Sequence, residues 1–153
     1  MIETIILFVC CTIALVPFIY LRAVKEDAEI DYSKAELGKK WHRQKWFGKA
    51  LWPTLIAFFY SSWYPPVLPM LINFLGFGIW SMAVYFSLFD SFLSIVRGLD
   101  KWYISYGRTT AGTDKILRSI QEATGMSSMK VHLAVKTPLL VIAGTVALVV
   151  SFM

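Results

Sequence analysis

Charge is scarce in this sequence and is missing altogether from its middle. Only 16% of the 153 residues are charged and 57% are hydrophobic, against about 25% charged and about 45–50% apolar in ordinary soluble domains. No charged side chain occurs between Lys49 and Asp90. Because the apolar residues are concentrated in long runs, they predict membrane-spanning segments rather than a soluble core. The length predicts one transmembrane domain over residues 1–153.

Cysteine is also rare, and its placement excludes a disulfide framework. Cys10 and Cys11 are adjacent inside the first apolar run, and no C-x-x-C spacing occurs. We interpret both as small apolar residues of a helix, with lipidation or a redox role as the alternative. The pair does not indicate the redox compartment.

Patterns typical of metal, nucleotide or cofactor binding are missing. The only histidines, His42 and His132, form no His-x-x-x-His or Glu-x-x-His spacing, so neither a metal nor a cofactor is predicted. Residues 107–112 have half the spacing of a phosphate-binding loop, but Thr113 and Asp114 follow instead of Lys and Ser or Thr. Without the lysine that binds the phosphates, nucleotide binding is not expected.

The basic residues indicate a membrane surface rather than a nucleic acid. The net charge is +5, and all fifteen Lys and Arg residues fall within 22–49 and 97–136. The first of these segments also holds five acids. Because the charges are mixed and no nucleic-acid-binding motif is present, no nucleic-acid partner is predicted.

Four apolar runs are long enough, some with short extensions, to cross a bilayer. They predict an all-α integral membrane protein, a four-span transmembrane helical bundle with short interfacial helices. Pro17 falls in the last turn of the first predicted span, and the fourth helix is expected to begin as early as Met129. The predicted spans are about residues 4–21, 46–64, 67–93 and 136–153.

The polar segments 22–45 and 97–135 set the expected orientation. One helix is predicted to start at Ser33, with Glu36 at the capping-box spacing. Another is predicted over about Thr113–Thr124, lying along the membrane surface and ending at Gly125. Because basic loops are cytoplasmic, we predict both segments in the cytoplasm and both termini outside a bacterial inner membrane. The expected partners are the lipid bilayer and either further copies of the chain or a larger membrane complex.

Small and amide side chains inside the spans predict helix packing. Asn73 and Gly76 lie in the third span, and Ala143 and Ala147 recur four residues apart in the last. Small residues let helix backbones approach closely, and an amide in hydrocarbon is expected to bond across a helix interface.

Asp90 is the most informative ionisable residue, because it directly follows the uncharged stretch. A carboxylate near lipid is costly unless it meets a cation, so we predict a structural ion pair of Asp90 with Arg97. Seven residues separate the two, so cations of the first polar segment are alternatives: Arg43, Lys45, Lys49 and His42.

A catalytic site is the competing interpretation of the same residues. His42, Asp90 and Asp114 are the candidates, with Asp100 as a further carboxylate on the same side of the membrane. His132, beside Lys130, is expected to be solvated.

The order of five short pieces between the apolar runs resembles small uncharacterised membrane proteins of bacteria and their phages. The resemblance implies no activity, since none is known for that group, but it would gather His42, Asp90, Arg97 and Asp114 on one face of the membrane. The pieces are Trp41-His42, Phe89-Asp90, Arg97-Gly98, Tyr106-Gly107 and Asp114.

Three functions are therefore predicted as alternatives. The first is a non-enzymatic scaffold or accessory subunit that packs through its small-residue faces. The second is a membrane-embedded, hydrolase-like enzyme with its site at the cytoplasmic interface. The third is a holin-like pore, suggested by small size, several spans and the phage resemblance.

Overall fold

The computed structural model describes residues 2–32, 51–104 and 112–153, which are helical over 85% of their length and contain no strand. The all-α prediction is therefore confirmed for these ranges. Their helices are α1 (Ile2–Tyr32), α2 (Leu51–Ser61), α3 (Val67–Val96), α4 (Gly112–Thr124) and α5 (Ser128–Ser151).

Three of these helices are long and apolar enough to cross a membrane. They are Ile2–Asp27 of α1 with 26 residues, α3 with 30 and α5 with 24. At about 1.5 Å per residue, each exceeds the roughly 30 Å of a hydrocarbon core. The structure is thus compatible with the predicted integral membrane protein.

Two of the spanning helices continue beyond the apolar runs that predicted them. α1 runs past Arg22 to Tyr32, so Pro17 lies inside the helix instead of in its last turn. The residues that follow Arg22 include good helix formers such as Ala23 and Glu26, which favour this extension. α5 begins at Ser128, and its first three turns therefore include both Lys130 and Lys136.

The second predicted span is described only in part. α2 is an apolar helix of residues 51–61, about 16 Å long at 1.5 Å per residue. The preceding residues 46–50 lie outside the described ranges, as do Ser33 and Glu36 of the predicted interfacial helix. Four spans therefore stay a prediction.

Contacts between helices give the relative directions of α1, α2, α3 and α5. α1 and α3 run parallel, whereas α5 runs antiparallel to α3 and α2 runs antiparallel to α1. Both the end of α1 and the start of α5 therefore lie beside the end of α3. The pairs that show these directions are Phe8–Phe77, Tyr20–Phe92, Gly76–Val150, Asp90–Lys136, Phe8–Tyr60 and Phe18–Trp52.

One end of the bundle is a cluster of rings and hydroxyls that we call the aromatic end, comprising Phe8, Tyr60, Tyr64, Phe77 and Ser151. Tyr60 stacks on Phe77 with ring centroids 4.4 Å apart, and Phe8 meets Phe77 edge-on at 5.5 Å. Tyr64 donates to the Tyr60 hydroxyl at 3.1 Å. Ser151 donates to a backbone carbonyl of its own helix, so Tyr60 donates to Ser151 Oγ, 2.7 Å away. These bonds join α2 to α5.

A second polar contact joins α1 to α3 inside the bundle. The Trp80 indole N–H donates to Thr12 Oγ1 at 2.8 Å. The Thr12 hydroxyl in turn donates to the carbonyl oxygen of Phe8, also at 2.8 Å. A hydroxyl that bonds in this way to its own helix costs little in hydrocarbon and still offers an acceptor to the indole.

Small residues lie where α3 meets α5. A Cβ placed on Gly76 would overlap the Val150 side chain and lie 3.5 Å from the Ala147 Cα. Ala143 and Ala147 are 3% and 1% exposed. The backbones approach closely here because neither helix carries a large side chain at the contact.

Asn73 was expected to bond across a helix interface, but its side-chain amide bonds within its own helix. It is buried and donates from Nδ2 to the carbonyl oxygen of Pro69, one turn earlier on the same helix, at 3.0 Å. The Pro69 carbonyl is a local acceptor within reach of the amide. Among the described residues, none donates to Asn73 Oδ1.

The amphipathic helix α4 packs its apolar side against α5 and the preceding loop. Leu117 of α4 forms a buried cluster with Ile104 and Val131. Gly125 ends the helix with a φ of 66°, and its N–H donates to the carbonyl oxygen of Gln121 at 2.8 Å. This is the left-handed C-terminal stop that glycine favours, as the sequence predicted.

Candidate functional site

Ionisable side chains of four helices gather at the end of the bundle opposite the aromatic end. Four are acids and four are bases, so their charges balance. We call this cluster the charged end; its members are Arg22, Glu26 and Asp27 of α1, Asp90 of α3 and Arg97 directly after it, Asp114 and Arg118 of α4, and Lys136 of α5.

The C-terminal end of α3 positions the Arg97 side chain. Gly98 has a φ of 69°, and its N–H donates to the carbonyl oxygen of Ile95 at 3.0 Å. The next N–H, of Leu99, donates to Ser94 at 2.9 Å. This pair of bonds is a Schellman motif, which needs a left-handed residue and so favours glycine. The chain turns away directly after Arg97, which stays beside α1.

Arg97 pairs with Asp27 across the α1–α3 interface. Arg97 Nε donates to Asp27 Oδ1 at 2.9 Å, and both side chains are 33% exposed. An ion pair with this much solvent contact contributes about 0.2–1 kcal/mol. Its main consequence is geometric, because it fixes the end of α1 against the end of α3.

Lys136 joins α5 to α3 in a less exposed setting. Its Nζ donates to the carbonyl oxygen of Ser87 at 3.1 Å and lies 3.6 Å from Asp90 Oδ2. The Lys136 and Asp90 side chains are only 12% and 25% exposed. Since each charge would be costly so close to lipid by itself, the pairing offsets part of that cost.

The predicted ion pair of Asp90 with Arg97 is replaced by these two pairs between helices. Seven residues of an α-helix separate the two side chains by about 10 Å along the axis. Each side chain instead meets a neighbouring helix, Asp90 on α5 and Arg97 on α1. The expectation that Asp90 faces the bundle and meets a cation agrees with this arrangement.

Asp114, in the first turn of α4, lies close to both Asp90 and Lys136. Partial burial, and then the negative charge of Asp90, raise the pKa of the Asp114 carboxyl to about 6. The cations Lys136, Arg118 and Arg97 act in the opposite direction. A carboxyl with this pKa exchanges its proton near neutral pH.

His132 is buried, so the expectation that it is solvated is wrong. The residue is 1% exposed, and its ring lies 5.9 Å from the ring of Trp102. Within the described part of the chain, neither ring nitrogen has a hydrogen-bond partner. The sequence suggested solvent because Lys130 is nearby, but α4 and the loop before it cover this side of α5.

The structure brings only two of the other catalytic candidates together. Asp90 and Asp114 come together at the charged end. Asp100 is exposed and accepts the N–H of Trp102 at Oδ1, 2.7 Å away, in a local turn. His42 lies outside the described residues. Among those described, no three His, Cys, Asp or Glu side chains form a group that could hold a metal ion.

Lys136 and Asp27 are the two ion-pair partners that sequence reasoning missed. A weak signal for Lys136 was available, because a lysine in the first turns of a spanning helix needs an acceptor or a route to the headgroups. Asp27 gave no signal, since it is one of several acids in a polar segment. Its role depends on α1 continuing as a helix beyond the apolar run.

The charged end is thus a set of mutually compensating charges that connects α1, α3, α4 and α5. Among its described residues outside the spanning helices, Asp114 is the one whose pKa is strongly shifted. Comparisons with protein-family models, with curated proteins and with solved structures found no match for this chain.

Proposed function

We propose that this protein is a small integral membrane protein that acts as a non-enzymatic scaffold or accessory subunit. The observation that carries the proposal is the pairing of charges between helices, Asp90 with Lys136 and Asp27 with Arg97. A catalytic or ion-conducting group has to be available to substrate or water. Here the paired groups neutralise each other and hold helix ends together, which supports a structural role.

The proposed topology has four spans, with α2 as the described part of the second. The antiparallel course of α2 and α1 supports this, because it brings α2 to the aromatic end beside the N-terminal part of α1. We propose that the charged end is cytoplasmic, both termini are outside and the host membrane is a bacterial inner membrane. The scaffold then offers its apolar flanks to lipid and to membrane partners.

Extraction without detergent tests the scaffold role. The protein, tagged and expressed in its own host, is isolated in polymer-bounded native membrane discs, and the protein mass per disc is measured. A scaffold predicts assemblies larger than the 17.4 kDa chain, containing further copies or another membrane protein in fixed ratio. Discs that hold a single chain and nothing else would contradict it.

A hydrolase-like enzyme is the second candidate, and one observation favours it. The Asp114 carboxyl, with its pKa near 6, is suited to general acid or base chemistry at neutral pH, and it lies beside Asp90. In this alternative, His42 would complete the site. Asp114→Asn and His42→Ala would then abolish turnover of ester, phosphoester or peptide substrates by purified protein, whereas a scaffold with either change would keep its assembly.

A further inference from the structure

An apolar groove lies between α2 and α3, beside the contact between Tyr60 and Phe77, and extends from there toward the charged end. It has a volume of about 500 Å³. Pro53 and Ala57 of α2 line one side, Phe74 to Phe86 of α3 line the other, and Leu139 of α5 closes part of it. We call it the α2–α3 groove.

The size of the groove matches one lipid tail. From Phe74 to Phe86, α3 rises about 18 Å, slightly more than half of a hydrocarbon core about 30 Å thick. At roughly 30 Å³ for each non-hydrogen atom, as for water in the liquid, 500 Å³ holds about 17 atoms. Both values correspond to a single fatty acyl chain within one leaflet.

The same magnitudes argue against a protein helix as the occupant. A helix about 10 Å wide and 18 Å long fills roughly 1,400 Å³, nearly three times the volume of the groove. An unbranched acyl chain is narrow enough to enter, whereas a helix could only lie across the opening.

The lining and the open end also fit a phospholipid. No residue that lines the groove is charged, and a Cβ added at Gly78 would have nothing within 4 Å. At the charged-end side, Pro53 follows the exposed Trp52, and Leu139 lies one helical turn after Lys136. Tryptophan and lysine are typical of the headgroup level, where the phosphate of a bound phospholipid would lie.

We propose that the α2–α3 groove binds one acyl chain of a phospholipid from the leaflet at the charged end. The chain lies along α3 between Phe86 and Phe74, and the phosphate lies at the level of Trp52 and Lys136. This site is independent of whether the protein is a scaffold or an enzyme. It differs from general lipid contact because the tail lies in a groove between two helices, which should slow its exchange with the surrounding lipid.

The test compares wild-type protein with a variant whose groove is filled. Gly78→Leu places a side chain in the open space, and Ala14→Leu adds the same side chain to an exposed position of α1 as a control. Each full-length protein is purified in mild detergent, and the bound phospholipid is measured by native mass spectrometry and phosphate analysis. We expect one retained phospholipid for wild type and Ala14→Leu, and its loss from Gly78→Leu.

A second measurement needs no variant and covers the case in which Gly78→Leu fails to fold. Wild-type protein is exchanged into phosphatidylglycerol that carries a photoreactive diazirine in one acyl chain, repurified in detergent and irradiated. Labels concentrated on Pro53–Ala57 and Phe74–Phe86 are expected. Wild-type protein without retained lipid, equal retention by Gly78→Leu, or lipid labels spread evenly over the exposed faces of all the helices would each overturn the proposal.

Discussion

At the aromatic end, Tyr60 and Phe77 are fully buried, their rings stack at 4.4 Å, and Tyr60 bonds to Ser151 at 2.7 Å. At the charged end, Lys136 and Asp90 meet at 3.6 Å with 12% and 25% of their side chains exposed. The first end combines close ring packing with neutral hydrogen bonds, whereas the second combines full charges with looser geometry and some access to water.

This difference follows from what would surround each end if the bundle spans a bilayer, as its three long apolar helices are able to do. Lipid tails solvate apolar side chains as well as another helix does, so rings at the aromatic end stabilise the bundle through packing and hydrogen bonds. Full charges close to lipid are costly unless paired. The charged end is consequently the one that is sensitive to removal of a single partner and to pH, and three predictions test that contrast.

The largest effect is expected from breaking the pair at the charged end. Lys136→Met leaves Asp90 without its cation from α5, which should lower the free energy of unfolding by about 3 kcal/mol, the low end of the range for buried pairs. Adding Asp90→Asn should restore most of that loss, because the carboxylate that lost its lysine partner is gone. Unfolding in mixed micelles of lipid and dodecyl sulfate measures both values.

Lys130→Met serves as the matched control, because Lys130 is an exposed lysine on the same helix. If Lys136→Met destabilised the protein no more than Lys130→Met does, the charged end would not depend on this pair.

A smaller loss is expected from a cavity at the aromatic end. Phe77→Ala removes a fully buried ring. In soluble proteins this change costs about 3–5 kcal/mol, partly from lost transfer out of water. Because a ring that leaves this bundle would meet lipid instead of water, we expect only the loss of packing to lower the free energy of unfolding, by about 2 kcal/mol. The same unfolding assay measures it, with Leu75→Ala as the control at a residue 63% exposed; equal losses for both would contradict packing at this end.

The smallest effect is a pH dependence of α4 packing. The pKa of Asp114 is about 6 in the structure against an ordinary 3.8, so packed α4 binds this proton more tightly than released α4. The resulting stabilisation is fully present below pH 3.8 and is lost as pH rises through about 6. Hydrogen exchange of the α4 amides should therefore show more protection at pH 5 than at pH 7, after correction for the intrinsic exchange rate.

Asp114→Asn is the reference for that experiment, because it removes the titrating group and keeps the shape. Its α4 protection should not change between the two pH values in the way the wild-type protection does. An unchanged difference in the variant would assign the pH dependence to another group.

The sequence was informative about features that depend only on residues close together in the chain. A stretch without charge, Gly125 after an amphipathic run, and a carboxylate at the edge of an apolar block each predicted a local feature that the structure contains. It was uninformative where two distant residues have to meet. Lys136 lies 46 residues from its partner Asp90, and Asp27 lies 70 residues from its partner Arg97. No periodicity specified the direction and rotation of the helices that carry them, so neither pairing could be predicted.

His132 illustrates the same limit for burial. Its neighbour Lys130 is exposed, whereas His132 is covered by α4 and the loop that holds Trp102. Whether one face of a helix is buried depends on the segment that packs against it. For His132 that segment comes from another part of the chain.

By itself, the sequence predicted an all-helical chain with four apolar spans and with its charges in two polar segments, because hydrophobicity and helix signals are properties of consecutive residues. In the described residues the helices are confirmed, and three of them are long and apolar enough to span a bilayer. Only the tertiary structure decided that Asp90 meets Lys136, that Arg97 meets Asp27 and that Asp114 lies beside both Asp90 and Lys136. Those contacts depend on how helices far apart in the chain rotate and pack against one another.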